Sequence, residues 1–181
     1  MPGVVFMFGT DGTFSIYDKE RGMTPPIYIF DLDGTLALNE HRRHFVENVQ
    51  RSPDFKADWE AFFAACVDDE PNWPVIHLMR NLIELEYDVR IWSGRSDEVR
   101  FETENWLTEF CGVSETRAKS MLKMRPRGDY TPDDVLKRRW LHELSAEDRA
   151  FILAVFDDRD KVVDMWREEG LCCMQVARGA F

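Results

Sequence analysis

No stretch of this 181-residue chain approaches the roughly 18 consecutive apolar residues that a membrane-spanning helix requires. The first ten residues, MPGVVFMFGT, lack the basic run that precedes the apolar stretch of a secretion signal. A cytoplasmic protein without a membrane partner is expected. Cysteine is scarce: Cys66, Cys111, Cys172 and Cys173 form no C-x-x-C pair and have no histidine-rich neighbourhood, which argues against a zinc site. Buried reduced thiols are expected, with Cys172 and Cys173 on opposite faces of a strand. Positive charge is short as well. Twenty-three Lys and Arg against 34 Asp and Glu leave a net charge of −11, which disfavours a long basic nucleic-acid groove. A small site can still hold one phosphate through local cations.

The composition that remains, 44% hydrophobic and 31% charged, is that of a globular domain long enough for a proper core. Its most informative string is YIFDLDGTL at 28–36. The apolar run 27–30 reads as a buried strand that delivers Asp31 and Asp33 to a turn made by Gly34 and Thr35. Carboxylates at the end of a buried strand are costly unless used. One use is local, an Asx-Gly turn in which both acids hydrogen-bond nearby amides. The other divides the labour: one acid attacks phosphorus as nucleophile while its neighbour protonates the leaving oxygen. Like charges at short range oppose double ionisation, which suits such a pair.

Apolar strand runs alternate with helical periods, the pattern of an α/β fold with a mainly parallel sheet. Strands are predicted at 27–30, 89–92, 120–124, 151–156 and 171–176. A helix over 74–86 carries Val75, Leu78, Met79 and Leu82 on its buried face. A second, over 97–110, carries Val99, Thr103, Trp106 and Phe110, with Ser96 as N-cap. Thr131 and Pro132 start a third, which buries Leu136, Trp140 and Leu144. A last helix, 160–169, ends at Gly170. Between the acid string and the 74–86 helix no convincing strand occurs. Phe45, Val46 and Val49, then Trp59, Phe62, Phe63 and Val67, sit at helical spacings, which predicts a small helical cap over 37–73. Its aromatics are read as packing for that cap rather than as a base-stacking platform. The core then comprises 1–36 and 74–181. In the first 24 residues, VVFMF and FSIYD flank Asp11-Gly12 as a hairpin would, and GTDGT at 9–13 imitates the acid string without its first acid.

Three further features turn the string into a site. IWSGR places Ser93, Gly94 and Arg95 at a strand end, where a hydroxyl, backbone amides and a helix N-terminus can hold a phosphate. Lys137 lies near the start of the Pro132 helix, on the same edge of the sheet. Asp157 and Asp158 close the apolar run FILAVF, and paired carboxylates there call for a hard cation with oxygen ligands, Mg²⁺ foremost. Mg²⁺, Lys137 and Arg95 would offset the charge of Asp31, Asp33, Asp157, Asp158 and a bound phosphate.

The order D-x-D-G-T, S-G-R, Lys, D-D resembles the haloacid dehalogenase (HAD) superfamily of aspartate-nucleophile phosphatases. A closer resemblance is to the 3′-phosphatase half of phage-type polynucleotide kinase-phosphatases. It runs through IFDLDGTLA, SGR, MRPRGDYTPDDVLK, FDDRDKVVDMWREEGL and the terminal QVARGAF. No G-x-x-x-x-G-K-[ST] occurs, so the kinase activity of that group is not implied. The resemblance implies a HAD-like Rossmannoid three-layer α/β sandwich with a small helical cap inserted after the first strand of the core. It makes Asp31 the nucleophile that becomes an aspartyl-phosphate and Asp33 the general acid, then base. Ser93, Gly94, Arg95 and Lys137 become the phosphate ligands. The metal set is Asp31, Asp157 and Asp158, with Asp33 contributing its backbone carbonyl. Arg42, Arg125, Asp129 and Arg159 also match polar functional positions of that group. The cap sequence departs from the kinase-linked versions, which leaves the substrate open. The expected activity is Mg²⁺-dependent removal of a 3′-terminal phosphate from DNA or RNA ends. Free nucleotides or other small phosphomonoesters are the alternative substrates, and a noncatalytic nucleic-acid or partner-binding module is the remote one. Oligomeric state is not indicated.

Overall fold

In the computed structural model the described residues are 4–8 and 14–18, as backbone, and 25–47 and 53–179. In chain order, β1 (Val4–Phe8) and β2 (Phe14–Asp18) pair antiparallel. The Asp11-Gly12 turn and the string GTDGT lie outside the described residues. There follow β3 (Ile27–Phe30), β4 (Ala37–Leu38), α1 (Trp59–Ala64), β5 (Glu70–Pro71), α2 (Trp73–Glu84) and β6 (Asp88–Ser96). Then come α3 (Arg100–Cys111), α4 (Glu115–Met121), β7 (Leu122–Arg125), α5 (Asp133–Glu143), α6 (Ala146–Ala150), β8 (Ile152–Arg159), α7 (Asp160–Glu168) and β9 (Cys173–Gly179).

Among the described residues β3 is the middle strand of a parallel sheet ordered β7-β6-β3-β8-β9. Parallel neighbours need crossovers, and each crossover contains at least one helix. Alternation sends Phe30 to one face, where it packs with Ile76, Met79, Trp106 and Leu107. Ile27 and Ile29 face the other side, against Leu136, Trp140, Val162 and Trp166. Helices therefore cover both faces of the sheet, giving three layers. Phe30 stacks on Phe156 of β8 with ring centroids 4.4 Å apart, fixing the two central strand ends beside each other. All five strands point their C-terminal ends to one edge, the usual place for a ligand in a parallel sheet.

Several predicted details shift. In α2 the buried stripe is Ile76, Met79 and Leu82, and Leu78 stays 41% exposed. Two stripes of this helix are comparably apolar in sequence, and contact with the sheet selects one. β6 continues past Trp92 to Ser96, so Ser93-Gly94-Arg95 belongs to the strand. Ser120 and Met121 end α4 rather than begin β7, and α6 was not anticipated. In α3 and α5, Leu107 and Leu141 are buried in place of Phe110 and Leu144. Cys172 is exposed, contrary to expectation: β9 begins at Cys173, and Cys172 precedes it. Between Leu38 and Glu70 the described chain forms a 3₁₀ turn at Glu40–Phe45, α1 and a second 3₁₀ turn at Ala65–Asp68. The antiparallel pair β4–β5 closes its base, where no strand was predicted. Among the described residues no helix is long and apolar enough to cross a membrane.

Candidate active site

β3 ends at Phe30, and the next residue anchors the site: the Asp31 amide donates to the Phe156 carbonyl at 2.8 Å. The chain then turns through Gly34, whose φ of +86° suits glycine. A Cβ on Gly34 would lie 2.2 Å from Asp158 Oδ2, so the turn and the end of β8 approach as closely as a bare backbone permits. On the other side of this junction Lys137, buried on α5, donates from Nζ to Asp31 Oδ1 at 2.5 Å and to Asp157 Oδ2 at 2.8 Å. Trp166 Nε1 adds a 3.3 Å bond to Asp157 Oδ2. Burial disfavours the Lys137 charge, but Asp157 and Asp31 outweigh it and hold the ammonium protonated.

Asp31, Asp157 and Asp158 each turn an oxygen into one buried cluster, these atoms lying within 4.8 Å of one another. Lys137, with Arg159 nearby but also paired to Asp133, does not balance three such carboxylates. Burial, with Asp157 and Asp158 nearby, raises Asp31 against the pull of Lys137. Burial and then Asp157 push Asp158 up to about 7. An all-oxygen donor set short of positive charge fits a hard divalent cation such as Mg²⁺. The Asp33 carboxylate, in contrast, is not in this cluster.

Asp33 faces a second constellation. Arg42 Nη2 donates to Asp33 Oδ1 at 2.5 Å, Arg95 Nη2 contacts the same oxygen, and Arg95 Nε reaches Asp33 Oδ2 at 3.3 Å. Behind them the buried Asp69 takes Arg42 Nε at 2.6 Å and Arg95 Nη2 at 2.7 Å, making a square of two buried arginines and two acids in which Asp33 faces the cleft. Phe62 covers the Arg42 guanidinium at 4.2 Å, Thr103 accepts from Arg95, and Trp106 Nε1 donates to the Asp69 carbonyl at 2.8 Å. Burial alone would raise Asp33, yet Arg95 and Arg42 bring it well below the ordinary carboxylate range. The two aspartates of the string are thus held in opposite senses.

A third knot shapes the mouth. Arg125 donates to the carbonyls of Gly94 at 2.7 Å and Thr131 at 2.5 Å, while Arg125 and Arg159 each grip one oxygen of Asp133. A Cβ on Gly94 would lie 2.5 Å from Asp133 Oδ1. Asp129 accepts from Thr131 N at 2.9 Å and Arg139 Nη2 at 2.6 Å, so it holds its own loop.

A cleft of about 780 Å³ opens over these groups. It is lined by Asp31, Asp33, Gly94, Lys137, Asp157 and Asp158, and by Arg125, Asp129 and Arg159. Ser93, Arg95 and Arg42 do not line it: Ser93 Oγ is buried and accepts from Arg95 N at 3.1 Å, and both guanidinium groups are turned to Asp33 and Asp69. Sequence reading put Arg95 on the phosphate; the geometry puts it behind Asp33, because β6 continues through it toward α3. Asp69 and Asp133 were missed. A buried arginine demands an acid, but nothing in VDDEP or TPDD tells which one answers.

Residues 25–181 match the family described as the polynucleotide kinase PNKP phosphatase domain, of HAD type. The chain belongs to that family. It is a phosphatase. Over 156 residues it is 28% identical to a protein of Autographa californica nuclear polyhedrosis virus named for bifunctional polynucleotide kinase/RNA ligase activity, covering 86% of this chain and 20% of the viral one. A chain in the structure of the Pnkp1/Rnl/Hen1 RNA repair complex is 31% identical, with a TM-score of 0.63, covering 87% of this chain and 44% of that one. The class C acid phosphatase from Bacillus anthracis with tungstate bound gives a TM-score of 0.58 at 14% identity, over 90% of this chain and 70% of the other, a likeness of fold. The PNKP-type chain therefore spans about a fifth of the viral relative's length and under half of the repair-complex chain's.

Proposed function

We propose that this phosphatase removes 3′-terminal phosphates from DNA or RNA ends, with Mg²⁺ and through an aspartyl-phosphate on Asp31. The observation that carries the chemistry is the unequal treatment of the two aspartates: Asp31 lies against Lys137 in the metal-type cluster, and Asp33 stands apart in its arginine clamp. Asp31 attacks phosphorus in line while the bond to the leaving sugar oxygen breaks. Lys137 offsets the charge spread over the phosphoryl oxygens. Asp31, Asp157, Asp158 and the Asp33 carbonyl would hold Mg²⁺, which supplies further positive charge to those oxygens.

Asp33 passes the proton. Its clamp keeps it ionised in the ligand-free site, open to a proton though a weak base there, and it would take one from the water that hydrolyses the phosphoenzyme. For the first half of the cycle the proton can arrive with the substrate, because a phosphomonoester has its second pKa near 6. Likeness to a repair-complex chain and to a viral protein named for kinase and ligase activity supports a nucleic-acid end as substrate. The net charge of −11 favours a second reading, in which free nucleotides or other small phosphomonoesters are hydrolysed.

The test is phosphate release from a 3′-phosphorylated oligonucleotide beside 3′- and 5′-mononucleotides, with Mg²⁺ and with chelator. Faster release from the oligonucleotide, abolished by chelator and by Asp31→Asn, is expected. Equal or faster release from mononucleotides overturns the end-processing reading, and hydrolysis by a clean D31N variant removes Asp31 as nucleophile.

A further inference from the structure

A phosphate fills only a corner of the cleft. Its volume of about 780 Å³ lies in the range that encloses a whole organic ligand, about 300–1,000 Å³. Two of the aromatic side chains that line it are open to solvent: Trp59, 48% exposed, and Tyr130, 89% exposed. They come from different elements, the first turn of α1 and the loop between β7 and α5. Large rings that only filled a core would be covered, as Phe62 is.

Trp59 is well supported. Asp58 caps α1 by accepting from Ala61 N at 2.9 Å, and the indole packs on Phe62 and Phe63 with centroids 5.7 and 5.9 Å away. Phe62 in turn covers Arg42, which holds Asp33. The ring is thus braced on the clamp around Asp33.

Charge at the rim offers little alternative grip. Arg43 pairs with Glu47 at 2.5 Å and Arg127 with Glu98 at 2.8 Å, and Glu60 also lines the cleft. A mixed rim on a chain of net charge −11 cannot track several backbone phosphates. Stacking on an aromatic ring needs no such charge, and every nucleobase has a face to offer.

We infer that Trp59 and Tyr130 form a base-stacking subsite for the nucleotide that carries the reacting phosphate. This rests on the reading of the chain as a phosphatase of nucleic-acid ends. It assigns the grip on substrate to the base, beyond the phosphate-binding groups. The footprint is then one or two nucleotides, and affinity falls only shallowly with added salt.

The experiment compares two matched pairs of substrates, each differing only in a base: a 3′-phosphorylated oligonucleotide with a normal or an abasic terminal nucleotide, and a nucleoside 3′-monophosphate with the corresponding base-free sugar phosphate. Tyr130→Ala should raise KM roughly tenfold for base-bearing substrates, leave kcat near wild type and leave base-free substrates unaffected, and Trp59→Ala should lose roughly tenfold more on base-bearing than on base-free substrates. Trp59→Phe and Tyr130→Phe should restore most of the loss. Tyr130 has little packing to lose, so its variant reports on the subsite even where Trp59→Ala unsettles α1. Equal losses on base-bearing and base-free substrates, or no loss on either, overturn the subsite. Base discrimination confined to the mononucleotide pair, with no preference for the oligonucleotide, supports the subsite while overturning the end-processing reading.

Discussion

Replacing Asp158 with Asn should make the metal-free protein more stable at pH 8. Burial and the Asp157 carboxylate push Asp158 up to about 7 from an ordinary value of 3.8. Between these values the folded state holds a proton that the unfolded chain has released. Stability therefore falls as pH rises through that window. Asp31, also raised, acts with the same sign, whereas Asp33, lowered, gives stability that is lost only in more acidic solution. A separation of about three pH units, at about 1.36 kcal/mol each, sets a ceiling near 4 kcal/mol. For a chain of this size that is on the order of 10 °C in Tm. The assay is thermal unfolding of wild type and D158N at pH 5 and pH 8, in chelator and in Mg²⁺. In chelator the two should differ least at pH 5 and diverge by pH 8, the variant melting higher. Mg²⁺ should raise wild type at pH 8 and leave D158N nearly unmoved. A wild type that melts at or above D158N in chelator at pH 8 refutes the charge-crowding argument.

Asp69→Asn leaves the two buried arginines one acid short and should cost about 3–5 kcal/mol, with activity falling because Asp33 loses its alignment; unchanged stability in denaturant titration would discount the clamp. Gly34→Ala puts a Cβ 2.2 Å from Asp158 Oδ2 on a backbone at φ +86°, so Mg²⁺-dependent turnover should collapse while a folded spectrum persists; near-normal turnover would contradict that close approach. Burial pushes the Cys111 and Cys173 thiols up to about 12, so Cys172 should be the one thiol that reacts quickly with a disulfide reagent in the native state, and Cys172→Ser should remove that phase.

What the sequence disclosed followed from local pattern. The run 27–30 coincides with β3, and Asp31, Asp157 and Lys137 could be placed on one sheet edge because apolar runs and helix starts are short-range signals. The Asp33 clamp was not legible. Its members lie 9, 26, 27 and 62 residues apart along the chain, and no pattern says which arginine turns to which acid. Arg95 shows the limit: S-G-R announces a polar strand end, but that β6 runs on and aims the guanidinium at Asp33 is a property of the sheet. Trp59 was hidden similarly, since an aromatic at helical spacing reads as core until its exposure is known.

Arg42 and Asp69 stand at the two ends of the segment that carries α1, and their ion pair, beside the β4–β5 pairing, cinches that segment at a neck. Once a neck is closed, the length of chain beyond it affects stability only slowly, about 0.6 kcal/mol for each doubling. A graft that kept Arg42, Phe62 and Asp69, and with them the clamp on Asp33, should change the rim of the cleft at little cost in stability.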